Sequence, residues 1–195
     1  MPAARSKARS ASKHREDTFS IPDALLLADR VMALPCAGRY PRVPGRGELV
    51  QRFAIPLSLC KTTNELISMA GAAGRASRGF GGSMQIAAFK DRLYRIMWVQ
   101  CTTMRSAPLE GRAQLRCVRF SSAAPDRMAD GFKTAIDLLR VPVPPKWDAH
   151  RNRFVGGKKG FGFLIEDDEL HVEECRWWEK APPRSGLGLL EIWSG

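Results

Sequence analysis

This 195-residue sequence lacks long apolar runs and paired cysteines and has little histidine. No apolar stretch approaches the roughly 18 residues that a membrane-crossing helix needs, which excludes a spanning segment of that kind. The N-terminal MPAARSKARSASKHRED is charged and is not followed by the apolar core of a secretory leader, so the expectation is a soluble cytoplasmic protein. There are three histidines, and the five cysteines (Cys36, Cys60, Cys101, Cys117, Cys175) are odd in number, widely spread and without a C-x-x-C pair. That pattern indicates neither a zinc site nor a disulfide framework and predicts reduced thiols. Acids are in deficit too: 20 Asp and Glu face 31 Lys and Arg, a net charge of +11. A polyanionic partner suits that balance, nucleic acid first and an anionic membrane surface second. The glycine-rich GAAGRASRGFGGS (71–83) carries neither G-x-x-x-x-G-K-[ST] nor a G-x-G-x-x-G set between strand and helix, so no nucleotide cofactor is expected.

What is present divides into a tail (1–17), an accessory helix with its linker (18–48) and a main domain (49–195). The tail holds five Lys or Arg and two acids among Ser and Ala, too polar to bury anything, and reads as a disordered basic arm. SIPDALLLADRVMALP spaces Ser20 and Asp23 like a capping box, carries an apolar stripe and stops at Pro35, the pattern of one helix. CAGRYPRVPGRGE, with two Pro and three Gly, reads as the linker.

In the main domain, LVQRFAIPLSL predicts a first strand at 49–55 and SMQIAAFKDRLYRIMWVQCTTMR a long helix over 83–105. RAQLRCVRFSS predicts a second strand, FLIEDDELHVEECRWWE an acidic corner followed by a strand through Leu170, Val172 and Cys175, and GLGLLEIW the last strand. The order β-α-β-α-β-β predicts an α+β domain, a mixed sheet with helices on one face.

Between the second strand and the corner lies APDRMADGFKTAIDLL (124–139), which predicts an amphipathic helix. At 100° per residue, Asp126, Asp130, Lys133 and Asp137 fall within about 60° of arc, opposite Met128, Phe132, Ala135, Ile136 and Leu139. A solvated helix face with an i,i+4 pair is the plain reading of such a stripe. VPVPPKWDAHRNRFVGGKKGFGF (141–163) follows, too rich in Pro and Gly for regular structure. Residues 140–160 hold six Lys or Arg against the single acid Asp148, with Phe154 and Phe161 interleaved. Cations pair with phosphates while aromatics stack on bases, so Arg151, Arg153, Lys158 and Lys159 are candidate DNA contacts; an ordinary solvated loop is the alternative.

From about 49 to 194 the chain resembles the RusA-type Holliday junction resolvases, dimeric magnesium-dependent endonucleases. Three segments carry the resemblance: the strand leading into IPLSLCKTTNE, the helix PDRMADGFKTAIDLL, and FLIEDDELHVEE. The second is similar to the family's D-x-D-N-L-x-x-x-x-K-x-x-x-D helix, with Asp126 on the second Asp, Lys133 on the Lys and Asp137 on the late Asp. The third is similar to the G-I-x-D-D corner, with Asp167 and Asp168 on its acidic pair. The chain departs from the pattern at Ala124, where the family has its first Asp, at Arg127, where it has Asn, and in the longer insertion at 141–160.

The resemblance implies Mg2+-dependent cleavage of four-way DNA junctions. Phosphodiester hydrolysis uses a metal to polarise a phosphoryl oxygen, and Mg2+ takes oxygen ligands while retaining several waters. Asp126 and Asp168 are the implied ligands, expected within roughly 4–7 Å of each other, with Asp167 beside them and Asp130 in place of the missing acid. Lys133 would face the scissile phosphate; Arg127 would either repel the metal or pair with that phosphate. A catalytically degenerate DNA-binding protein on the same fold is the alternative. Two cuts related by a two-fold axis imply a homodimer, for which Met84, Met97 and Trp98 on the long helix and the GLLEIW strand are the expected surfaces.

Overall fold

The computed structural model describes residues 47–76, 80–101, 105, 107–124, 131–181 and 186–195. The expected tail, the 20–34 helix, Cys36, Asp126, Arg127 and Asp130 lie outside the described residues. In chain order the elements are β1 (Leu49–Pro56), a 3-10 turn (Leu57–Leu59), α1 (Thr63–Ala76), α2 (Phe80–Gln100), β2 (Ala113–Ser121), α3 (Lys133–Asp137), β3 (Lys146–Asp148), β4 (Arg153–Val155), β5 (Val172–Lys180) and β6 (Leu187–Trp193). The fold is α+β. Its main sheet has the order β1-β6-β2-β5, antiparallel except for the β2–β5 pair, and β3 and β4 form a separate hairpin.

Two helices, not one, separate β1 from β2. α1 starts where TTNE makes a reciprocal cap: the Thr62 amide donates to Glu65 Oε2 (2.7 Å) and the Glu65 amide to Thr62 Oγ1 (3.1 Å). It then runs through Gly71 and Gly74, so the glycine-rich stretch is helical up to Ala76 and again from Phe80. Helical backbone satisfies its own N–H and C=O groups, and isolated glycines cost only about 1 kcal/mol each in it. α2 ends at Gln100, against an expected end at 105, and the Gln100 side chain is bound to the sheet. β1 is an edge strand, and Gln100 Oε1 accepts from the Ala54 amide (2.7 Å) while its Nε2 donates to the Ala54 carbonyl (2.8 Å). One side chain thus occupies the hydrogen-bonding place of a further strand.

Strands β6 and β2 are central and read as nearly continuous buried runs, as strands covered on both faces do. On one face Phe53 meets Phe161 (centroids 5.5 Å) and Phe163 (6.2 Å), and Phe161 stacks on Tyr94 of α2 at 5.0 Å. Each such fully buried phenylalanine contributes about 1.5–3 kcal/mol. Phe161, expected among the base-stacking aromatics, is therefore a core residue, and Met97, expected as spare interface surface, is fully buried. Phe132 rests on the sheet over Gly188, where a Cβ would lie 2.9 Å from its ring and 2.5 Å from Cys60 Sγ. The other face buries Glu191 of β6 between Arg52 of β1 and Arg116 of β2, its cross-strand neighbours.

The expected continuous helix over 124–139 does not form. Gly131 has φ +84°, outside the right-handed helical region, and the helix proper is Lys133–Asp137. A Cβ at Gly131 would stand 2.3 Å from the Cys60 carbonyl oxygen, so the left-handed turn lets the chain pass close to the end of the 3-10 segment before α3 begins. The single polar stripe from Asp126 to Asp137 is accordingly interrupted at this residue. Leu170, expected in a strand, lies in the turn before β5 and is exposed. Among the described residues no helix is long and apolar enough to cross a membrane, and Cys60 and Cys117 are buried while Cys101 and Cys175 are half-buried.

Candidate functional site

The chain leaves α3, makes its long excursion over 141–160 and returns alongside its own departure point. The Phe161 amide donates to Leu138 O (2.9 Å), Phe163 to Leu139 O (2.8 Å) and Val141 to Leu164 O (2.9 Å), and Arg140 bridges Leu164 in parallel. This closure carries Glu166 and Asp167, two and three residues further on, back to the polar edge of α3.

Five charged groups meet there. Lys133 Nζ is 3.2 Å from Asp137 Oδ1, one helical turn on, and bonds Asp167 Oδ2 across 34 residues of sequence. Arg140, just beyond the end of α3, holds Asp167 Oδ1 at 3.1 Å and Glu166 Oε2 at 2.5 Å. Asp167 is thus gripped through both oxygens, and its side chain is only 13% exposed. Burial pushes its carboxyl up, but the Lys133 hydrogen bond and the charges of Lys133 and Arg140 outweigh that and hold it below the usual carboxylate range. For Lys133, burial works downward, and the bonds and charges of Asp167 and Asp137 hold the ammonium above its ordinary value.

Asp168 does different work. Its Oδ1 accepts from the amides of Leu170 (3.2 Å) and His171 (3.1 Å) and lies 2.6 Å from His171 Nδ1, which together shape the turn into β5. The His171 bond is the main reason its carboxyl is held below the usual range. The expected pairing of Asp168 with Asp126 involves a residue outside the described ones, as do the expected roles of Asp130 and Arg127. Among the described residues no group of three or more His, Cys, Asp or Glu side chains is arranged to hold a metal ion.

A cleft of about 690 Å³ opens beside this centre and shares Asp137 and Arg140 with it; Ala87 and Lys90 of α2 form one wall, Val143 and Lys158 another. Of the expected DNA contacts, Lys158 and Lys159 both line this cleft and are exposed, and the backbone of Lys158 is paired to Val143. Lys159 is tied to Asp91 of α2 and lies 5.0 Å over the Tyr94 ring. Arg153 is exposed on β4, and Arg151 is exposed with its Nε 3.6 Å from Asp148. The excursion is not wholly irregular, because β3 and β4 make a short hairpin within it.

Arg140 and His171 were not singled out from the sequence. The i,i+4,i+7 run of Lys133, Asp137 and Arg140 and the D-x-x-H spacing of Asp168 and His171 were both there to be read. Comparison of the chain with protein-family models, with curated proteins and with solved structures finds no match.

Proposed function

We propose that the protein is a structure-selective, Mg2+-dependent DNA endonuclease acting on four-way junctions. One observation carries the reading: Asp137 and Asp167, from separate elements, converge on a single cationic position, the Lys133 ammonium. A point already flanked by two carboxylates on a basic protein has the donor chemistry that a hard divalent ion takes, so these residues fit Mg2+. Asp137 and Asp167 would hold it, with Asp126 and Asp168 as the further acids that the family resemblance implies and Asp130 in place of the missing one. When bound, Mg2+ supplies polarisation of a phosphoryl oxygen and stabilisation of the leaving oxyanion.

The chain's own residues do the rest. Lys133, released from Asp167, turns to the scissile phosphate and offsets charge there, while Arg140 keeps its hold on Glu166 and so fixes the corner. Lys90 and Lys158 in the adjoining cleft, with Arg151 and Arg153 beyond it, neutralise flanking phosphates. Two concerted cuts call for a symmetric dimer, for which exposed Met84 and Trp98 on α2 offer apolar surface.

A specific observation favours the second reading, a DNA-binding protein without catalysis: both oxygens of Asp167 are already held by Lys133 and Arg140. The experiment is a nicking assay on synthetic four-way junctions with and without Mg2+. Metal-dependent cutting that Asp167→Asn and Asp137→Asn abolish supports the nuclease; junction binding with no cutting at any Mg2+ concentration leaves the degenerate reading. Sedimentation at micromolar concentration tests the dimer, since a 21.7 kDa species that cuts two strands in concert contradicts it.

A further inference from the structure

The excursion between α3 and the acidic corner ends in a finger. Val143 and Lys158 exchange both backbone hydrogen bonds (3.0 and 2.9 Å), and the ladder continues through Lys146↔Val155, Trp147↔Phe154 and Asp148↔Arg153. The tip is closed by Asp148, whose Oδ1 accepts from the Arg151 amide at 3.1 Å, and by Asn152 at φ +47°. On this stem Trp147 and Phe154 face each other edge-on at 5.2 Å, and they stay 54% and 65% exposed. Lys146 and Arg153, each the strand neighbour of a ring and so on the other face of the ribbon, are exposed, as is Arg151 at the tip, and the one acid on the hairpin, Asp148, is engaged there.

A cross-strand aromatic pair staples a hairpin, but stapling does not call for two large rings left mostly in water amid cations. That combination fits a partner offering flat apolar faces and negative charge together, which describes unpaired nucleobases on their phosphate backbone. Paired bases within a duplex hide those faces. The finger also shares Val143 and Lys158 with the cleft that reaches Asp137 and Arg140, so the base of the hairpin opens onto the charged centre.

We propose that the β3–β4 hairpin is a base-stacking finger: Trp147 and Phe154 take unpaired bases of DNA while Lys146, Arg151 and Arg153 hold the adjoining phosphates. The choice of DNA rests on the reading given under Proposed function; the stacking itself does not require cleavage.

The test is equilibrium binding of the full chain, in EDTA, to a continuous duplex and to the same duplex carrying a short single-stranded gap. The wild type should prefer the gapped duplex by about tenfold. W147A/F154A should bring that preference close to one, with affinity for the continuous duplex changed by less than about twofold. W147Y/F154Y, which keeps the rings, should restore it, and W147L/F154L, which keeps only apolar bulk, should not. A preference retained by W147A/F154A, rescue by the leucine variant, or tighter binding to anionic vesicles or single-stranded RNA than to gapped DNA would overturn the proposal. Because no cutting is measured, a gap preference in a protein that never nicks junctions removes the nuclease reading alone.

Discussion

Lys133 and Asp167 form an ion pair that closes a loop of 34 residues, and Asp137 shares the same ammonium. Replacing Asp167 with Asn leaves Lys133 and Arg140 facing each other without the carboxylate between them. Since Lys133 is more than half exposed, the cost is set by a discounted pair, on the order of 1–2 kcal/mol. Asp167 titrates lower in the fold than in the unfolded chain, so its contribution is complete above the unfolded value near 3.9 and fades as pH falls through the folded one. Urea unfolding should show a wild-type advantage over D167N that is constant from pH 7 to about 5 and shrinks below about 4.

Gln100→Ala removes the two hydrogen bonds that cover the β1 edge at Ala54. The expected loss is about 1–3 kcal/mol, because the Ala54 amide and carbonyl lose their partner. The exposed edge should also raise concentration-dependent aggregation, read by light scattering near the unfolding midpoint. An unchanged midpoint with no added scattering would show that the edge needs no cover.

Gly131 and Gly111 both have positive φ, at +84° and +77°, but only Gly131 is crowded. Gly111→Ala should cost about 1 kcal/mol for the left-handed backbone alone. Gly131→Ala drives a Cβ into the Cys60 carbonyl as well and should cost at least about 2 kcal/mol more. Comparable denaturation midpoints for the two variants would contradict the close packing of the turn before α3.

Glu191 is fully buried between Arg52 and Arg116, with the Trp193 indole N–H 3.2 Å from Oε2. Glu191→Ala leaves two guanidinium groups side by side in the sheet, with an expected cost of about 3–5 kcal/mol. Arg52→Ala, at a partly exposed position, should cost roughly 1–2 kcal/mol, because Glu191 keeps Arg116. Chemical denaturation that ranks the two in the reverse order would mean the Arg116 pair contributes less than its geometry indicates.

Period and punctuation in the sequence determined the strands of the sheet, the α+β class and the existence of α2, because residues such as Phe53, Ile55, Leu189 and Ile192 carry their core-facing preference locally. The Thr62–Glu65 cap is equally legible in its T-x-x-E spacing. The site was half legible: Lys133 and Asp137 at i,i+4 are a property of any helix, and the acidic pair at 167 and 168 stands out in a basic chain. Only the tertiary structure decided that Asp167 turns to Lys133 and Arg140 while Asp168 turns to His171. That choice depends on the backbone exchange between 138–141 and 161–164, a long-range pairing that no local pattern encodes. The same holds for Phe161 and Phe154, two aromatics in one basic, glycine-rich segment. The first is buried because the returning strand lays it between Phe53 and Tyr94, and the second stays in water because the hairpin projects away from any apolar surface that could cover it.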